Sequence, residues 1–149
     1  MKTETSRTVQ LTRRFNASAE RVFDAWITPA TASQWLFTTP TSKIVRAEVD
    51  ARVGGSFVFA DRRENEDVEH VGNYLEIDRP RRLVFTFGVP KYSPVMTTVT
   101  LDIRPLADGC ELTLTHVDVL PEWADRTAEG WGKLLTALGA TLDEAALTD

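Results

Sequence analysis

Two hydrophobic rhythms alternate along the chain. Over Thr8–Phe15, Val9, Leu11 and Phe15 fall among polar residues at a period of two, which predicts a strand with one buried face. From Ala19 the period lengthens. Val22, Phe23, Trp26 and Ile27 recur at helical spacing behind the capping side chains of Asn16 and Ser18, so a short amphipathic helix is expected. Pro29 ends it, because proline restricts the residue before it and has no N–H for the preceding turn. A second helical turn is expected through Ala32 to Leu36, carrying Trp35 and leading to Phe37.

Extended patterns then follow over Lys43–Asp50, Ser56–Ala60, Val68–Ile77, Leu83–Phe87, Val95–Leu106 and Glu111–Val117. Turn residues separate them: Val53-Gly54-Gly55, the acidic group Glu64–Asp67, Asp78-Arg79-Pro80, a longer loop from Gly88 to Pro94, and the hairpin signal Ala107-Asp108-Gly109, after Thr38–Ser42 has led into the first of them. The 68–77 strand is two-faced. His70, Tyr74 and Glu76 share one parity, Val71, Leu75 and Ile77 the other, and a bulge near Gly72 would exchange them. From Pro121 the helical period returns, with Trp123, Thr127, Trp131, Leu135, Leu138 and Leu142 on one stripe. Gly130, Gly132 and Gly139 each cost such a helix about 1 kcal/mol relative to alanine. They serve either close approach to the sheet or open space beside a cavity. Strands segregated from helices make the fold class α+β.

Composition narrows the function. At 149 residues one domain is expected, with its core over about residues 8–146, and 42% hydrophobic against 26% charged residues is the balance of a globular protein. No apolar run approaches the ~20 residues of a membrane-spanning helix, and Met1–Arg7 lacks the apolar stretch of a signal peptide, so a cytoplasmic protein without membrane insertion is expected. A net charge of −5 argues against nucleic acid as the partner. Arg62 and Arg63, followed by Glu64, Glu66, Asp67 and Glu69, read with Arg79, Arg81 and Arg82 as solvated turns. The single cysteine, Cys110, permits no internal disulfide or cysteine-based zinc site and reads as a buried small hydrophobe.

The element order, with Gly72-x-Tyr74-x-Glu76-Ile77, Pro80-Arg-Arg-Leu-Val-Phe-Thr-Phe87, Leu112-Thr-Leu-Thr-His116 and Gly130-Trp131-x-x-x-Leu135-x-x-Leu138, resembles the START-like (SRPBCC) helix-grip superfamily. Within it the chain is most similar to the branch named after the C-terminal domain of the heat-shock-protein ATPase activator. The resemblance implies a curved antiparallel sheet of six to seven strands wrapped around a long C-terminal helix, with two short helices after the first strand. Between sheet and helix many such proteins hold an apolar or amphipathic small molecule. The co-chaperone's separate N-terminal domain has no counterpart in this chain, so ATPase activation is not carried over.

On that frame the candidate cavity residues are Trp35, Phe57, Phe59, His70, Tyr74, Phe85, Phe87, Leu101, His116, Trp123, Trp131 and Leu135. His116 follows Leu112 and Leu114 at alternating spacing and is expected to face inward. His70, Tyr74, Glu76 and His116 are the candidates for acid–base chemistry, and no spacing joins them into a set. The chain has no phosphate loop, nucleophile elbow or metalloprotease motif, and no metal or cofactor is expected. Three readings result: a binder of a small apolar or amphipathic molecule; a cyclase or hydratase using His116 and Tyr74 on a polyketide-like or aromatic substrate; and a stand-alone protein-interaction module. A homodimer is compatible with each.

Overall fold

The computed structural model describes residues 7–37, 43–92 and 95–148. The expected connection Thr38–Ser42, the end of the 88–94 loop and the polar first residues lie outside them. Seven strands, β1 (Arg7–Phe15), β2 (Lys43–Val49), β3 (Ser56–Arg63), β4 (Glu66–Asp78), β5 (Arg82–Phe87), β6 (Thr97–Leu106) and β7 (Gly109–Val119), form one antiparallel sheet. Their order is β1-β7-β6-β5-β4-β3-β2. β1, first in sequence, pairs with β7, the last strand.

Two short helices, α1 (Ala19–Ile27) and α2 (Pro29–Ala32), follow β1. Ser18 caps α1, its Oγ accepting from the Arg21 N–H at 3.2 Å. Val22, Phe23, Ala25 and Trp26 are the buried face of α1. Pro29 is the first residue of α2, where its missing N–H costs nothing. α2 precedes the expected Ala32–Leu36 turn and shares only Ala32 with it, so Trp35 lies in the turns beyond it. The long helix α3 (Ala124–Thr148) lies along β1. Arg13 donates to Thr136 Oγ1 at 3.0 Å and Arg21 to the Leu142 carbonyl at 2.9 Å, tying α3 to β1 and α1.

β4 settles its own ambiguity. Val68, His70, Gly72 and Tyr74 are buried, whereas Leu75 is 50% exposed. A register shift falls between Tyr74 and Glu76, so beyond it Ile77 packs against the core. The bulge therefore lies past Tyr74 rather than at Gly72, and it accounts for apolar residues on both parities. Gly72 has another role: a Cβ there would stand 1.8 Å from the Thr86 carbonyl oxygen and 2.6 Å from the Phe57 ring. The last hairpin also differs by one residue. Leu106 pairs with Gly109, leaving Ala107-Asp108 as the loop, and Gly109 opens β7 instead of closing the turn.

The start of α3 differs as well. Pro121–Trp123 forms a separate 3-10 turn, so Trp123 falls off the stripe that continues through Trp131, Leu135, Leu138 and Leu142. Trp123 is 40% exposed, with the Arg126 guanidinium 5.3 Å above its ring.

Candidate functional site

A cleft of about 610 Å³ opens between α3 and the inward face of the sheet, within the range of small-molecule sites. Phe37, Phe87, Trp131, Leu134 and Ala137 supply apolar wall, and His70, His116, Thr127, Arg63 and Lys133 supply polar groups. A second space of about 180 Å³ shares Phe87, Val89, His116 and Thr127 with it and continues past Tyr92, Val95 and Trp123. Gly130 lines the larger cleft, and a Cβ added there meets no atom within 4 Å. Gly132 and Gly139 differ: their Cβ positions lie 3.8 Å from Leu11 and 3.7 Å from Phe15, ordinary contact with β1. Open space thus explains Gly130, whereas at Gly132 and Gly139 a methyl would fit and close approach does not demand glycine.

His116 is locked into the wall. The Trp131 indole N–H, which can only donate, reaches its Nδ1 at 3.0 Å. Nδ1 therefore carries no proton, and in the neutral ring Nε2–H donates to Thr97 Oγ1 at 2.6 Å. The Thr97 hydroxyl in turn donates to the Phe87 carbonyl at 3.0 Å. Both ring nitrogens of His116 are thus engaged, and burial holds the imidazole neutral, with its pKa lowered to about 4 against the opposing pull of Asp118. The chain of bonds fastens α3 to β5, β6 and β7 at one point.

His70 is set differently. Its Nδ1 lies 3.2 Å from the Phe59 carbonyl, which only accepts, so Nδ1 carries the proton and the neutral ring keeps a lone pair on Nε2. Burial lowers its pKa, opposed chiefly by Asp61. The ring stacks on Phe37 with centroids 4.5 Å apart and planes 6° from parallel. Phe37 adopts φ 61°, a left-handed conformation that is costly for a bulky side chain. It also stacks on Phe87 at 5.1 Å, so strained backbone presents an aromatic plate to the cleft.

Behind this plate lies a buried carboxylate that the sequence reading passed over. Asp61 is fully buried; its Oδ2 accepts from Arg63 Nε at 2.7 Å, and its Oδ1, 3.7 Å from His70 Nδ1, has no hydrogen-bond partner among the described residues. Arg63 is thereby drawn to the cleft wall rather than left in a solvated turn. The other arginines of those groups do pair at the surface: Arg62 with Asp67, Arg79 with Asp24, Arg81 with Asp78, and Arg82 with Glu76 and Asp102.

Of the twelve residues singled out from sequence, the structure brings His70, Phe87, His116 and Trp131 together around the larger cleft and Trp123 around the smaller. Phe57, Phe59, Tyr74 and Phe85 surround only a void of about 10 Å³, which is filled core. Trp35 packs edge-on to Trp26 at 4.7 Å and donates to the Ala25 carbonyl, and Leu101 and Leu135 are fully buried. The aromatic set divides because Trp26, Leu36 and the β3–β5 rings fill one end of the sheet's concavity. The other end stays open beside Gly130. His116 and Tyr74 line different spaces, and the Tyr74 hydroxyl is pushed up in pKa by burial and then by Asp50. Among the described residues no three His, Cys, Asp or Glu side chains are grouped to hold a metal, and no helix is long and apolar enough to cross a membrane. Arg63, Phe37 and Lys133 are among the cleft residues that sequence reasoning left out, together with Val89, Thr127, Gly130, Leu134 and Ala137. Strand parity carried one signal, since Phe57, Phe59, Asp61 and Arg63 alternate along β3.

Comparison with known proteins places this geometry. Solved structures of similar fold include protein CV1439 from Chromobacterium violaceum, at 25% identity and a TM-score of 0.82 over 89% of this chain and 94% of that one. Mll3558 from Rhizobium loti matches at 25% identity and 0.76 over 94% and 99%. The protein of unknown function SA2116 from Staphylococcus aureus shares the fold at 15% identity and 0.86 over 97% and 98%. No curated protein sequence matches the chain. The model of the activator of Hsp90 ATPase homolog 1-like family matches residues 16–143, nearly all of the sheet and most of α3. The chain therefore belongs to that family, a branch of the START-like helix-grip fold.

Proposed function

We propose that this protein binds a small amphipathic molecule in the cleft between α3 and the sheet. The observation that carries the reading is the open space at Gly130: the helix accepts its least favourable residue but proline at a position where any side chain would enter the cleft. The strained Phe37 and its stack on His70 support the same reading, because such strain collects at ligand-holding sites. Apolar walls supply the driving force, and a few fixed polar groups supply orientation.

The test is titration with the uncharged fluorophore N-phenyl-1-naphthylamine. Saturable, one-to-one enhancement is expected, with energy transfer from tryptophan. Gly130→Leu should abolish it while the protein stays folded. No binding of this probe by the intact protein, nor of any member of a broad apolar panel, would refute the reading.

A protein-interaction role is the second reading, favoured by the exposed Tyr92, Val95, Met96 and Trp123, three of which line the smaller space. Replacing Tyr92 and Trp123 with serine would leave probe binding in the larger cleft intact and remove partner binding.

A further inference from the structure

The cleft's charges are one-sided. Its lining holds two cationic side chains, Arg63 and Lys133, and no carboxylate among the described residues, in a chain whose net charge is −5. Arg63 is anchored by one edge only. Its Nε donates to Asp61, and its two terminal nitrogens make no hydrogen bond among the described residues. Lys133, on the same face of α3 as Gly130 and Ala137, is exposed and likewise has no partner among the described residues. Other cations near α3 are engaged: Arg13 with Thr136 and Gly132, Arg21 with Leu142, Arg126 with the Trp123 ring.

On the reading that the cleft holds a ligand, we infer that this ligand is an amphipathic carboxylate. Its acid group is held by the free edge of Arg63 and by Lys133, and its apolar body lies against Phe37, Phe87, Trp131 and Leu134. The charge count favours a single negative charge. Asp61 offsets the Arg63 guanidinium, which keeps its directional donors, and Lys133 contributes the one uncompensated positive charge. A planar carboxylate matches the paired terminal N–H groups of an arginine whose orientation is already fixed, and fixing it beforehand lowers the entropy lost on binding. Asp61 is thus a positioning residue. Its burial behind the wall aims Arg63 without placing a carboxylate in the ligand's path.

The test compares three ligands of equal chain length, decanoate, 1-decanol and decylamine, by calorimetric titration of the intact protein below their aggregation limits. Decanoate should bind at least tenfold more tightly than decanol, and decylamine most weakly. Lys133→Gln should weaken decanoate about three- to tenfold and leave decanol unchanged. The double variant Asp61→Asn/Arg63→Gln, which removes both members of the pair and leaves no buried charge unpaired, should reduce the decanoate preference to about that of Lys133 alone. Equal affinity for decanoate and decanol, with N-phenyl-1-naphthylamine still bound, would overturn the carboxylate inference and leave the cleft reading standing. A decanoate preference unmoved by both variants would overturn it too. Failure of all three ligands and of the neutral fluorophore would overturn both.

Discussion

Gly130 separates the stability of the fold from the capacity of the cleft, because the same substitution should move them in opposite directions. In a helix interior, alanine is favoured over glycine by about 1 kcal/mol, and at Gly130 nothing lies within 4 Å of the new methyl to offset the gain. Gly130→Ala should therefore raise stability by about 0.5–1 kcal/mol, or Tm by about 1–4 °C for a domain of this size. One methyl leaves most of a 610 Å³ space open, so affinity for N-phenyl-1-naphthylamine should barely change. Gly130→Leu keeps the backbone gain while its side chain enters the cleft, and probe affinity should fall at least tenfold with no loss of stability. Gly72→Ala is the counterpart, since its Cβ would press on the Thr86 backbone and the Phe57 ring; the strain should cost about 3 kcal/mol. Thermal and urea unfolding read the first quantity and fluorescence titration the second. The reasoning fails if Gly130→Ala lowers Tm, which would mean the cleft is packed there. It fails equally if Gly130→Leu binds the probe as the native protein does.

Four further outcomes follow from the wall of the cleft. His116 has its pKa lowered to about 4 in the fold against 6.5 unfolded, so its contribution is complete above about pH 6.5 and is lost as the pH falls toward 4, by about 3 kcal/mol in all. Melts between those limits should show a clearly shallower slope for His116→Gln than for the native protein, and parallel slopes would refute the assignment. His70, also lowered by burial, adds acid sensitivity of the same sign in both proteins. Trp131→Phe leaves the buried His116 Nδ1 without its donor and should cost about 1–3 kcal/mol by urea unfolding, with a rise in the apparent histidine pKa by NMR. Arg63→Leu strands the fully buried Asp61 and should cost about 2–3 kcal/mol, with Asp61→Asn restoring part of it in the double variant. Cys110, fully buried and with its thiol pKa raised chiefly by burial, should resist alkylation by iodoacetamide until the protein is unfolded.

Much of the fold was legible because its signals are local and redundant. The change from period two to helical spacing marks α1 and α3, Pro29 divides the short helices, and turn residues bound every hairpin. Boundaries failed where one residue decides the matter. At Ala107-Asp108-Gly109 the Asp-Gly pair suggested the turn centre, but Gly109 is needed at the first residue of β7, where a Cβ would stand 2.0 Å from the Phe15 carbonyl oxygen of β1. That contact is between strands about ninety residues apart in sequence, and no local pattern reports it. β4 failed for a related reason. Its bulge after Tyr74 exchanges the faces midway, so a single parity cannot describe the strand.

The candidate site was legible only in part, because aromatic residues look alike in sequence whether they fill a core or line a space. Phe57, Phe59 and Phe85 meet Trp26 and Tyr74 around a void of about 10 Å³, whereas Phe87, two residues beyond Phe85 on the same face, borders the open cleft. What separates them is the opposing helix: bulky Trp26 stands over the first group, and Gly130 over the second. The charged half of the site was hidden differently. Arg63 stands beside Arg62 and before four acidic residues, and was grouped with them as solvent-facing charge. Parity along β3 separates the neighbours: Arg62 points outward to Asp67, while Asp61 and Arg63 continue the inward face of Phe57 and Phe59. A charged pair that extends an inward apolar alternation must be satisfied internally or line a space, since burial without a partner is too costly. Here Asp61 is paired internally through one oxygen, Oδ2, and the free edge of Arg63 lines the space, so that alternation locates the polar end of the cleft.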